Sequence, residues 1–95
     1  GTISLSIVTD VKLDSNGSLF IADKGNCRIV GSDANGFRCI AGCNGGSGSS
    51  ANQLYYPRRL SFDSHGNLFV LDQGNERIQR FALQPKNCSK GEACI

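Results

Sequence analysis

Asp23, Asn26 and Arg28 stand at intervals of three and two, and so do Asp72, Asn75 and Arg77. A carboxylate, a carboxamide and a guanidinium gathered at one turn could hold and polarise a substrate. The same three groups can also do mechanical work. Asx side chains bond turn backbone, and a carboxylate beside an Arg forms a charge-assisted bond that locks a strand-to-strand turn. The duplication favours the second use, because a catalytic site is rarely built twice on adjacent units. All six residues are therefore read as structural turn locks, and no residue is read as catalytic.

The remaining chemical groups are few. His65 is the single histidine, and the five cysteines form no Cys-x-x-Cys pair. One His cannot complete the usual Cys/His zinc sets, so no metal ligand and no cofactor is expected. Five Cys in 95 residues instead indicate disulfides and an oxidising compartment. Asn16-Gly17-Ser18 and Asn87-Cys88-Ser89 are glycosylation sequons, which agrees with an extracellular, secreted protein. No stretch resembles a signal peptide, so a targeting segment is expected to have been removed or to lie outside this sequence. A net charge of +2 with scattered basic residues gives no concentrated basic face, so nucleic acid is not expected as a partner. No apolar run reaches the length of a membrane span.

The elements that carry these groups are repeated. Asp14, Ser15, Gly17, Leu19, Phe20, Asp23, Gly25, Asn26, Arg28 and Ile29 each recur as the same residue 49 positions later, and Ile21 recurs as Val70. His65 falls opposite Asn16 and so occupies a turn position. Each copy parses into strands. Val11–Asp14 and Leu60–Asp63 come first, followed by Gly-containing turns at 15–18 and 64–67. Leu19–Ala22 and Leu68–Leu71 are nearly all apolar, as strands buried on both faces are. Arg28–Val30 and Arg77–Phe81 are third strands. A hairpin turn at Asp33–Gly36 leads to a fourth, Phe37–Ala41, echoed in Gly91–Ile95 at an offset of 55. Repeats of about 40–50 residues built from short strands point to propeller blades.

The run Pro57, Leu60-Ser61-Phe62-Asp63, Gly66-Asn67-Leu68-Phe69-Val70, Asp72, Asn75-Glu76-Arg77-Ile78-Gln79 and Phe81 resembles an NHL repeat. The first copy matches from Asp14 onward but has Val8 where the leading Pro would stand. The resemblance covers about residues 11–81. It implies a β-propeller of four-stranded blades, and the cysteines and Gly-rich linker resemble the secreted branch of the family. Amidating-lyase enzymes carry similar blades around a His-ligated metal centre, which a single His cannot build.

The expected fold is therefore all-β: two four-stranded antiparallel blades, part of a larger propeller or of an assembly. Residues 1–10 are an N-terminal strand or arm, with Thr2–Ile7 alternating polar and apolar. Residues 11–43 form the first blade, 44–56 a flexible Gly/Ser-rich linker and lead-in loop, and 57–95 the second blade with a truncated last strand. Centring the hairpin on Asp33–Gly36 puts Cys27 opposite Cys43, the first choice of disulfide. Cys88–Cys94 is the second, which leaves Cys39 odd. Tyr55, Tyr56, Arg58 and Arg59 form the densest aromatic-basic cluster, a candidate binding rim for a ligand, sugar or peptide.

Two blades leave two apolar faces uncovered, whereas repeat architectures generally need three or more units. The expected partners are other protein chains, either copies of this one or further blades. The expected function is a non-enzymatic scaffold or binding module. Its first rival is a subunit of a ring or filament built by head-to-tail packing.

Overall fold

A computed structural model describes residues 2–43 and 46–83 in full and the backbone of 93–94. The chain is all-β. Strands β1 (Val8–Leu13), β2 (Leu19–Asp23), β3 (Arg28–Asp33) and β4 (Gly36–Ala41) form an antiparallel meander in that order. A second antiparallel sheet contains β5 (Pro57–Phe62), β6 (Leu68–Asp72) and β7 (Arg77–Ala82).

The duplicated residues explain the duplicated geometry. After β1, Asp14 Oδ1 accepts the N–H groups of Asn16 and Ser18; after β5, Asp63 Oδ1 accepts those of His65 and Asn67. Gly17 and Gly66 supply the left-handed φ values of 82° and 81° that these turns require. Single 3-10 turns at Lys24–Asn26 and Gln73–Asn75 then swing the chain into β3 and β7.

Register sorts the side chains into faces. Asp10, Ala22, Ile29 and Ala41 align across the first sheet, with Lys12, Phe20 and Gly31 in the neighbouring row. Val11, Ile21 and Val30 project from the other face. Only one face of each sheet meets the other sheet. There Phe20, Ala22, Ile29 and Ala41 pack with Leu54, Leu60, Leu68, Val70 and Phe81 to form the core. Phe20 and Phe62 meet edge to face, with ring centroids 5.1 Å apart. Each large apolar side chain sealed here contributes roughly 1.5–3 kcal/mol.

Three expectations are corrected. The second sheet has three antiparallel strands, not four. Ala93–Cys94 (β8) pairs with Phe81 and Ala82 in parallel. Secondly, of the strand or arm expected over residues 1–10, residues 2–7 are no strand and residues 8–10 belong to β1. Residues 2–7 run beside the first sheet as a lead-in, fixed by Gly25 N–H to Ser6 O and Lys24 N–H to Ile7 O, both about 3 Å. Finally, residues 48–53 are not a loose linker, because their carbonyls accept bonds from Asn75, Arg77 and Gln79.

Candidate functional site

The two Asp-Asn-Arg sets each close on a fully buried carboxylate. Asp23 Oδ2 accepts from Asn26 Nδ2 and Arg28 Nε, each at 2.8 Å, and its Oδ1 accepts from Ser6 N–H at 2.7 Å. Asp72 repeats this with Asn75 Nδ2, Arg77 Nε and Tyr55 N–H at 2.8, 2.8 and 2.7 Å. Both oxygens of each carboxylate are engaged by the protein itself, so neither is presented to a substrate. Arg28 reaches on to Ser4 O, while Arg77 reaches the carbonyls of Ser49, Ser50 and Gln53. Each lock therefore joins a turn to the loop that leads into its own sheet. The closeness of that loop explains a repeated glycine: a Cβ on Gly25 would run into Ser6, and one on Gly74 into Tyr55.

These bonds reveal a part of the repeat that residue identity hides. Ser4/Gln53, Leu5/Leu54, Ser6/Tyr55 and Ile7/Tyr56 are 49 apart and occupy equivalent places. Ile7 and Tyr56 even share the left-handed backbone, with φ of 47° and 58°. The available signal was the identity of Leu5 with Leu54, masked by the polar-apolar alternation of residues 2–7.

The aromatic-basic cluster is assembled at the surface. Tyr55 and Tyr56 are exposed and stacked with centroids 4.4 Å apart, and Lys24 Nζ lies 5.5 Å from the Tyr56 ring centre. Bonding to the Tyr55 side chain holds the Tyr56 phenol above its ordinary range. Arg58 is exposed, and Arg59 donates to Thr9 O at 3.3 Å across to the first sheet.

The disulfide is Cys39–Cys43, with Cα atoms 5.8 Å apart, and not Cys27–Cys43. Cys27 is free and buried. Hairpin counting fails here because the register slips between Ile29 and Val30, where Ala41 and then Cys39 oppose successive residues of β3. Cys27 itself lies on the left-handed residue that ends the 3-10 turn, with φ of 52°. Cys39 is therefore paired and is not the odd cysteine that hairpin counting predicts. The Cys88–Cys94 pairing and Asn87 fall outside the residues whose side chains are described. Asn16 is exposed in its turn. His65 is exposed in the matching turn, where its N–H bonds Asp63. The side chain and N–H of Asn67, with help from His65 N–H, hold the Asp63 carboxyl below the ordinary carboxylate range. Among the described residues, no group of three or more His, Cys, Asp or Glu side chains is placed to hold a metal ion. No described helix is long and apolar enough to cross a membrane.

The most informative surface lies at the junction and at its outward-facing equivalents. Across the junction, Asp10 Oδ2 accepts Leu60 N–H at 2.8 Å and Thr9 Oγ1 donates to Pro57 O at 3.1 Å. Burial pushes the Asp10 carboxyl up, but the N–H groups of Leu60 and Val11 together with Lys12 outweigh it and hold the group below its ordinary value. Asp10 was not singled out by sequence, since its counterpart is Arg59. The outward-facing equivalents are open. Ile29 is 0% exposed and Ile78 61%; Leu54 is 0% and Leu5 38%; Leu60 is 3% and Val11 47%. Leu13 is exposed as well, whereas its counterpart Phe62 packs against the core. On the second sheet Arg59, Leu60, Ser61, Phe69, Leu71 and Ile78 line a shallow, mostly apolar groove of about 260 Å³.

Compared with known proteins, the chain matches no family model and no curated protein.

Proposed function

We propose that the chain is a pair of NHL-type propeller blades from a secreted protein. It acts as a non-enzymatic scaffold whose outer faces contact other protein chains. The observation that supports this most directly is the pair of isoleucines: Ile29 is sealed by the neighbouring sheet and Ile78 is not. The same strand chemistry is thus used once inside the molecule and offered once outside. Apolar faces left open in this way support contact with other protein surfaces. The Cys39–Cys43 bond supports an oxidising compartment, and the exposed Asn16 is available there to glycosylation.

A second reading has its own observation. The stacked, exposed Tyr55–Tyr56 pair beside Arg58 would suit a rim for a sugar or peptide ligand.

The scaffold reading is tested by sedimentation velocity over a wide range of concentration, together with thermal melting. The expected result is a mass that rises above the 10.1 kDa of one chain, with a melting temperature that increases with concentration. A single-chain mass throughout, with a cooperative and concentration-independent melt, would overturn it.

A further inference from the structure

The two open faces are not equivalent to each other. They are the two halves of a junction that the molecule already contains. On the first sheet, the open face carries Leu5, Val11 and Leu13, counterparts of Leu54, Leu60 and Phe62 in the internal junction. On the second sheet, the open face carries Phe69, Leu71 and Ile78, counterparts of Phe20, Ala22 and Ile29. Every one of these positions keeps an apolar residue in both copies.

We infer that the open face of the second sheet receives the open face of the first sheet of another copy of this chain, in the register of the internal junction. This rests on the scaffold reading and adds the partner and the pairing. Leu13 of the incoming copy stands over Phe69, where Phe62 stands over Phe20. Val11 takes the place of Leu60, and Leu5 that of Leu54 against Ile78.

Charge supports this occupant. In the internal junction, Arg59 reaches Thr9 O and Asp10 Oδ2 holds Leu60 N–H. At the outer junction, Asp10 of the incoming copy occupies the place of Arg59, and Arg59 of the receiving copy the place of Asp10. A carboxylate therefore meets a guanidinium, with Arg58 beside them. One position departs from the pattern: Arg80 replaces Gly31, on which Ile40 lies so closely that a Cβ would stand 2.7 Å from it. The contact is head to tail, so an open assembly of any length keeps one free face of each kind, one at either end.

The test uses the full chain, Leu13→Asp, Ile78→Asp and an equimolar mixture of the two variants, all followed by sedimentation velocity. Both substitutions are at exposed positions, and circular dichroism checks the fold. Should Leu13→Asp not fold, Val11→Asp replaces it. The unaltered chain is expected to associate, and each variant alone to bind at least about 30-fold more weakly. The mixture retains one intact face of each kind and is expected to stop at a 1:1 dimer. Association of either variant alone at the strength of the unaltered chain overturns the pairing but leaves the scaffold reading standing. So does a mixture that fails to dimerise. An unaltered chain that never associates overturns both.

Discussion

Ile29 and Ile78 occupy the same place in two copies of one motif. They follow equivalent locks, lie two positions after a left-handed residue (Cys27 in one copy, Glu76 in the other), and pair with the strand before them at Ala22 and Leu71. One is completely buried and the other mostly exposed. The lock residues before them are the same in both copies. Their burial is set by the neighbour, since Leu54 and the second sheet cover the first isoleucine while no described residue seals the second. The locks differ in the same sense. Asp23 and Asp72 make identical short-range bonds, but Arg77 gathers three carbonyls where Arg28 gathers one. The second lock fastens a loop that carries Leu54 into the core; the first fastens a loop whose Leu5 is exposed.

The largest expected effect separates the two locks. Asp72→Ala should cost about 3–5 kcal/mol, the usual loss when one partner of a buried ion pair is removed. It frees Tyr55 N–H and Arg77, and so loosens the segment that delivers Leu54. Asp23→Ala breaks an equally buried set, but the segment it frees contributes nothing to the core, so a loss of about 1–3 kcal/mol is expected. Urea unfolding at one low protein concentration measures both. Equal losses would show that each lock acts only within its own turn.

Next comes the isoleucine pair itself. Ile29→Ala should destabilise by about 2–5 kcal/mol, through lost transfer energy and the cavity left behind. Ile78→Ala should lie within about 0.5 kcal/mol of the unaltered chain, provided it is measured where the protein sediments as single chains. At concentrations that favour association, Ile78→Ala should instead weaken the complex. A large loss from Ile78→Ala in the dilute protein would mean that its face is already covered within one chain.

Strands and locks were readable because they depend on residues close in sequence. The recurrence of Asp, Gly, Asn and Arg at fixed spacing gave β2, β6 and both turns. Features set across sheets or by a slip in register were not readable in that way. Hairpin counting leaves Cys39 unpaired because it assumes unbroken pairing, and the irregularity between Ile29 and Val30 breaks it. The fourth strand of the second sheet was drawn from the echo of Gly36–Ile40, but that echo carries no information about strand direction. Residues 2–7 alternate as a strand does, yet their place is decided by Asp23 and Arg28, which hold Ser6 and Ser4. Asp10 was missed because its role exists only where two sheets meet, and its counterpart is a cation.

Asp10 also gives the smallest and most local test. Its carboxylate accepts N–H from Leu60 in the other sheet, and its pKa in the folded protein lies below the ordinary value of 3.8. A depressed carboxyl adds stability that is fully present above the unfolded value and disappears as the pH falls through the folded one. Asp63 is depressed as well, so acid will weaken the whole protein over the same range. The useful quantity is therefore the gap in unfolding free energy between the unaltered chain and Asp10→Asn. At neutral pH that gap should be about 1 kcal/mol, since the amide can still accept the bond but without its charge. It should hold down to the ordinary carboxylate range and close below it, as Asp10 takes up a proton. Arg59→Gln, at the counterpart position on the open face, should show no such acid-dependent gap in dilute protein. A gap for Asp10→Asn that persists to about pH 2 would mean that the loss does not come from the charge of Asp10, and that the carboxyl acts in the junction through the geometry of its bond to Leu60 N–H.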